Sequence, residues 1–288
     1  MVDSADLRKY LGCKVEHEDL ITATQVQRMN ATLDREEPLP KIGDPVPAGW
    51  HLIFFPKFPP TRSLSPDGTE PAIENGMPDP LPVRMFAASR AKFHHPLRIG
   101  DEARRISEIT SINVKEGRSG QLVFVTFRQS IHTPAGLAIE DEREMVFLEE
   151  ARNGSRIPPP GQAAPEGGVW HRTIHPTNTM LFRFSALTFN AHRIHYDTPY
   201  ATGPEGYPGL LVHGPLTATW LLELARDNNP GARITGFDMR ARAPLFAGRA
   251  FRLMGRPRDG GSACDLWAIT PEDTIAMEAS ATLEVSSD

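Results

Sequence analysis

The sequence predicts an α+β protein built from two copies of one unit, in each of which a curved antiparallel sheet wraps a helix. Four strand-like runs, at 83–94, 103–115, 122–131 and 138–148, are separated only by Gly- and Pro-bearing turns such as GRSG and TPAG, the pattern of an antiparallel meander. A Pro/Gly-rich stretch at 153–168, NGSRIPPPGQAAPEGG, then divides the chain near its middle, and after it the plan restarts. A short phrase also recurs, Pro96-Leu97-x-x-Gly100 and Pro244-Leu245-x-x-Gly248, each time at the start of a strand. One five-residue match is weak alone, but between equivalent strands it supports a duplication. The expected units are 1–152 and 169–288, with 153–168 as linker.

In chain order, a strand-like segment comes first. An amphipathic helix follows at about 22–34, with Thr22 and Gln25 spaced as a capping box. From Pro38 to Pro82 the character changes. Twelve prolines interleaved with Trp50, Phe54, Phe55 and Phe58 exclude long helices and favour an irregular wall, packed rather than free because of its aromatics. The four-strand meander comes next, then the linker. In the second unit a short strand and helix lead to a polar loop at Asn190. A helix over 215–227 follows, with Gly214 suited to its cap, Pro215 to its first position and Asn228-Asn229-Pro230-Gly231 to its stop. Strands are expected near 233–242, 250–256, 263–270 and 274–285.

Composition bounds the function. At 288 residues with 40% hydrophobic and 23% charged residues, the chain can bury a large core and reads as an ordinary soluble globular protein. A net charge of −5 argues against general nucleic-acid binding. No run of about 18 apolar residues suggests a membrane span, and the first residues lack an apolar leader core, so a cytoplasmic location is expected. Cys13 and Cys264 suggest neither a disulfide framework nor a metal knuckle.

The chemistry concentrates in FSALTFNAHRIHYDTPY at 184–200 and PGLLVHGPLTATWLLELA at 208–225. Asn190, His195 and Asp197 supply an amide to orient water, an imidazole to carry a proton and a carboxylate that could orient the imidazole. The helix that follows presents free N–H groups at its positive end, suited to a carbonyl oxygen that gains negative charge. Pro215 cannot donate, which favours the Gly214 N–H. Asp197, before Thr198-Pro199, is equally a helix-cap residue. His192, His195 and His213 have partial metal spacing, but without a carboxylate or thiolate set no metal is expected. His213 more simply orders the start of the helix.

These two stretches resemble the MaoC-like (R)-specific enoyl-CoA hydratases and hydroxyacyl-thioester dehydratases, whose motif reads Asp-x-Asn-Pro-(Ile/Leu)-His-x-Asp. The chain has Asn190-Ala191-His192-Arg193-Ile194-His195-Tyr196-Asp197, so the motif His falls on His195, the aliphatic on Ile194 and the last Asp on Asp197. The family's catalytic Asp is Asn190 here, its Asn is His192 and its Pro is Arg193. The family's helix N-terminal glycine falls on Gly214. These departures, with FHHPLRIGD and EGRSGQLVFVTF in the first half, are similar to the subgroup with an FAS-like N-terminal dehydratase half, the mesaconyl-C4-CoA and itaconyl-CoA hydratases. The resemblance implies a double hot dog fold of two antiparallel sheets, each with a helix, and catalysis by the second half.

It also implies reversible hydration of an enoyl-CoA, with Asn190, His195 and Gly214 as catalytic residues and Asp197, His192 and His213 as possible orienting ones. Coenzyme A enters only as part of the substrate, and no cofactor is implied. The Pro-rich segment of the first half would leave room for the acyl group, with specificity set between Trp50 and Met85. A branched C5 dicarboxylyl group needs a cation, for which Arg193, Arg84 and Arg90 are candidates beside Tyr196. A dehydratase of straight-chain fatty intermediates and a non-catalytic acyl-CoA-binding protein remain as alternatives, since the usual Asp is replaced. A homodimer is the family-level expectation.

Overall fold

The computed structural model describes residues 4–70, 76–77, 79–117, 120–149 and 161–285. The strands alternate buried and exposed positions with the period of two that lets one face meet a core and the other meet water. In chain order the elements are α1 (Ser4–Arg8), β1 (Lys14–Leu20), α2 (Ala23–Thr32), β2 (Val83–Phe93), β3 (Glu102–Gly117), β4 (Gly120–Thr133), β5 (Gly136–Leu148), β6 (Trp170–Ile174), α3 (Asn178–Leu187), α4 (Thr198–Thr202), α5 (Gly214–Asn228), β7 (Ala232–Ala241), β8 (Phe251–Arg258), β9 (Ala263–Ile269) and β10 (Ile275–Val285).

The predicted strands and the two long helices lie within a few residues of their expected places. The sheets differ from expectation in one respect. Residues 14–148 supply β1-β3-β4-β5-β2 and residues 170–285 supply β7-β10-β9-β8-β6, but β2 pairs antiparallel with β7 and fuses them into one ten-stranded sheet. Pairing Ala88 with Arg240 through Lys92 with Gly236 satisfies backbone groups that two separate sheets would leave on open edges.

The repeated phrase has the same job twice. Leu97 and Leu245 are buried, and their carbonyls accept from the N–H groups of Val46 and Val212. Gly100 and Gly248 take φ of 98° and 76°, and their N–H groups reach back to the carbonyls of Ile21 and Pro176. Val46 and Val212 are therefore equivalent points, and the segments after them should correspond. After Val212 comes α5, buried from Leu216 to Ala225 and packed across all five strands of its half. After Val46 comes only a 3₁₀ turn, Trp50–Ile53, because Pro56, Pro59 and Pro60 forbid its extension. Where the second half has its central helix, the first half thus has irregular Pro-rich chain, and the space is only partly refilled.

The turn and α5 are pressed together. A Cβ on Gly49, at φ 85°, would lie 2.3 Å from Leu222 Cδ1, so glycine is needed there for both conformation and approach. The buried Glu223 of α5 accepts from Trp50 Nε1 at 3.0 Å and pairs with Arg35 and Arg226, each at 2.6 Å. Burial pushes its pKa up, and the two guanidiniums and the indole oppose this.

Two caps differ in detail from expectation. Thr22 caps α2 by accepting from Gln25 N, but Gln25 Nε2 donates to Ile53 O instead of closing the box. The cap of α5 is His213, extended at φ −62° and ψ 130°, so Gly214 and Pro215 are its first two residues. Of the expected linker, 153–160 lie outside the described residues. Residues 161–168 run beside the second half, where Ala163 bridges Thr274. Among the described residues, no helix is long and apolar enough to cross a membrane.

Candidate active site

The loop between α3 and α4 begins on strained backbone. Phe189 takes φ 53°, uncommon for an aromatic residue, and Asn190 turns back so that its Oδ1 accepts from His192 N at 2.9 Å. One 3₁₀ turn, Arg193–His195, then carries His195 inward. The first half clamps this loop. Asp67 O accepts from Arg193 N at 2.8 Å, and Pro66 O accepts from Arg193 Nη1 at 2.9 Å. Gly68 makes the clamp possible, since a Cβ on it would lie 1.9 Å from Ala191 O.

His195 is almost wholly buried, and its Nδ1–H donates to Leu211 O at 2.9 Å. That bond fixes the tautomer and leaves Nε2 with its lone pair. Burial pushes the His195 pKa down to about 3, with the carbonyl bond opposing and the nearby His192 assisting. The ring stacks on His213 at 3.6 Å between centroids and meets His192 edge-on at 5.6 Å. His213 Nε2 bonds Ser185 Oγ at 2.9 Å, and its pKa is also lowered by burial. Among the described residues no group of three or more His, Cys, Asp or Glu is placed to hold a metal.

A cavity of about 550 Å³ lies between the two halves. Asn190, His192, His195, His213 and Gly214 line it from the second half. Gly214 opens α5, so its N–H has no intrahelical acceptor and points along the positive end of the helix dipole. Phe86 of β2 faces it closely: a Cβ on Gly214 would lie 3.3 Å from Phe86 Cδ1. A base with a free lone pair and an unsatisfied N–H donor thus share one chamber, the pair needed to add water beside a carbonyl that becomes an oxyanion.

Other residues singled out from the sequence lie elsewhere. Asp197 caps α4 by accepting from Tyr200 N at 3.2 Å and pairs with Arg193 at 2.7 Å, outside the cavity lining. Arg193 is spent on that pair, on Pro66 and on Tyr200, whose ring lies 3.8 Å beneath it. Tyr196 is exposed and donates to Ala191 O. Arg90 is exposed and bonds Asp238 at 2.8 Å. Arg84 alone of the three candidate arginines lines the cavity, and it is held by Asp79 and by Glu70 O. Arg90 and Arg193 each lie outside the cavity lining with a carboxylate in reach.

Sequence reasoning singled out none of His51, Ser89, Asp141 and Arg143, which line the cavity from the first half, although His51 falls in the 50–85 segment assigned to specificity. Asp141 and Arg143 stand at alternate positions of β5 with the buried Ile139 and Phe147, so strand parity was the available signal. Ser89 is likewise in phase with the buried Ala91 and Phe93, although a bulge between Phe86 and Ala88 breaks that phase earlier in β2.

One ten-stranded sheet whose two halves enclose one chamber, with a histidine and a helix N-terminus facing it, defines a double hot dog protein of the hydratase and dehydratase class. A solved MaoC-like dehydratase superposes with a TM-score of 0.74 at 16% identity, covering 97% of this chain and 100% of that one. A Mycobacterium tuberculosis protein described as having a double hotdog fold superposes at 0.60, with 13% identity and 95% and 96% coverage. The chain belongs to the hydroxyacyl-thioester dehydratase type 2 family, whose model matches residues 49–247. It is 44% identical over 286 residues to a mesaconyl-C(4)-CoA hydratase of Chloroflexus aurantiacus, covering 99% of each chain. It is 29% identical over 275 residues to a mitochondrial hydroxyacyl-thioester dehydratase type 2 of Schizosaccharomyces pombe, covering 84% of this chain and 90% of that one.

Proposed function

We propose that the protein is an acyl-CoA hydratase that adds water to a branched C5 dicarboxylyl-CoA, mesaconyl-C4-CoA or itaconyl-CoA, to give citramalyl-CoA. The observation that carries this reading is the shared chamber of His195, with the Nε2 lone pair left free by the Leu211 bond, and the Gly214 N–H. The full-length likeness to the Chloroflexus hydratase supports the substrate class. A buried polar end of the cavity, built by His51, Ser89 and Asp141, supports a dicarboxylate over a long fatty chain, which would want an apolar tunnel.

With mesaconyl-C4-CoA the thioester oxygen accepts from the Gly214 N–H, which draws electron density from the double bond. His195 Nε2 removes a proton from water as the water oxygen bonds to the β-carbon. The electron pair of the double bond moves towards the thioester and leaves an enolate whose oxygen Gly214 holds. The protonated His195 returns a proton to the α-carbon and the carbonyl re-forms, so one water is added and the imidazole ends neutral. Asn190 cannot be a base. Its Oδ1 is engaged by His192 N, so its amide hydrogens are the groups that hold the water. Asp197 takes no proton in this scheme. The location is cytoplasmic and the assembly a homodimer in this reading.

Adding mesaconyl-C4-CoA and crotonyl-CoA separately, and following the loss of enoyl absorbance, tests the proposal. A clear preference for mesaconyl-C4-CoA supports it. Preference for crotonyl-CoA favours the fatty-intermediate dehydratase suggested by the family and the yeast relative. Loss of neither chromophore at high protein concentration makes the chain a binding protein.

A further inference from the structure

The first half buries ionic groups where a hydrophobic helix seat is expected. On the inner face of β5, Asp141 and Arg143 point into the cavity, with Ser89 of β2 directly across from Arg143. His51, on the 3₁₀ turn that stands in place of a central helix, closes over them. Ser89 Oγ donates to Asp141 Oδ1 at 2.6 Å and Arg143 Nε donates to Asp141 Oδ2 at 2.5 Å. His51 Nε2 lies 3.3 Å from Asp141 Oδ2 and 3.2 Å from Arg143 Nη2. Asp141, His51 and Ser89 are exposed by only 1%, 6% and 9%.

Such a cluster is costly to bury, and this one is incomplete. His51 Nδ1 is buried with no partner among the described residues. Arg143 is a quarter exposed and lines the cavity, with its Nε turned to Asp141 and its Nη2 to His51. Asp141 is held ionised by Arg143 and the hydrogen bonds around it, against the opposing effect of burial, while burial keeps His51 neutral. Arg105 is near enough to His51 to disfavour its protonation further.

The distance to the reacting end is fitting. Phe86 faces Gly214, and Ser89 stands three residues further along β2, about 10 Å at about 3.3 Å per residue. A C5 dicarboxylyl chain with a hydrogen bond of about 2.9 Å at each end spans that order of length.

We propose that Arg143, braced by Asp141 and Ser89 and overhung by His51, binds the free carboxylate of the acyl group and sets the preference for dicarboxylyl over monocarboxylyl thioesters. This rests on the acyl-CoA reading above. Arg143 is the specificity residue; Asp141, Ser89 and His51 are positioning residues, with the His51 Nδ1 edge available to the same carboxylate.

The test compares two pairs of thioesters that differ only by a methyl in place of the carboxylate. Mesaconyl-C4-CoA and 3-methylcrotonyl-CoA report turnover. Succinyl-CoA and butyryl-CoA, which cannot be hydrated, report binding by calorimetry. The variants are Arg143→Gln and the double variant Asp141→Asn with Arg143→Gln, which removes both charges together and so avoids a lone buried carboxylate. In wild type the dicarboxylyl member is favoured in each pair. In both variants that ratio falls at least about 30-fold, the scale of a lost charge-assisted hydrogen bond, with the loss entering mainly through KM. Arg143→Lys restores part of the ratio, since it keeps the charge and loses the planar fork. An unchanged ratio in a double variant that melts cooperatively overturns the proposal, because a purely structural role moves both members together. Wild type that binds succinyl-CoA selectively through Arg143 but hydrates nothing sustains this site and sinks the hydratase reading instead.

Discussion

Lowering the pH from 7 to 5 should destabilise the protein through His195. In the folded chain its pKa is pushed down to about 3, against 6.5 when unfolded, so between those values the unfolded state binds the proton and the folded state does not. The stability tied to neutral His195 is therefore complete above about pH 6.5 and is lost as pH falls towards about 3. At pH 5 the unfolded imidazole is almost fully protonated, and the loss relative to pH 7 comes to about 2 kcal/mol from this one ring. His213, lowered in the same direction, adds to the total. Urea unfolding at pH 7 and pH 5, on wild type and His195→Gln, isolates the contribution: the variant should lose about 2 kcal/mol less than wild type over the same interval. Equal losses in the two proteins would refute a buried, neutral His195 fixed by Leu211.

The same geometry sets further outcomes. His195→Ala should abolish hydration, whereas Asn190→Ala should only weaken it; equal residual rates would refute that division of labour. Gly214→Ala should lower kcat/KM at least about tenfold, because its Cβ comes 3.3 Å from Phe86 in the space a thioester must enter, while thermal unfolding changes little since alanine suits a helix. Asp197→Ala should lower Tm through loss of the α4 cap and leave kcat intact, and a collapse of kcat would return Asp197 to the chemistry. Glu223→Ala removes the acceptor of the buried Trp50 indole and one carboxylate from Arg35 and Arg226, which keep Glu37 and Asp227, and should cost about 1–3 kcal/mol in urea unfolding. A cost near zero would mean that this contact between the halves does not contribute to stability.

Legibility in the sequence tracks the range of the forces involved. The strands of both halves and α5 were legible because alternation, Gly and Pro turns and the Asn-Asn-Pro-Gly stop are local signals. Asn190, His195 and Gly214 were found as chemistry-bearing residues at telling spacings, and the structure brings all three to one cavity. The β2–β7 junction was not legible, since its partners are far apart in sequence and neither strand is marked as an inner one. Arg84, Arg90 and Arg193 were nominated for charge alone, whereas the carboxylates that occupy them, Asp79, Asp238 and Asp197, are chosen by the fold. Asp141 and Arg143 sit in a run, EDERE, that looks like a solvated strand face, and only parity against Ile139 and Phe147 turns them inward.

The most direct measurement is a crystal structure of the protein with an unreactive thioester bound. The thioester oxygen should lie about 2.9 Å from Gly214 N, with the carbon corresponding to the β-position facing His195 Nε2 across the space of one water. A thioester bound with its oxygen away from Gly214, or with its chain out of reach of His195, would contradict the shared chamber on which the chemistry depends.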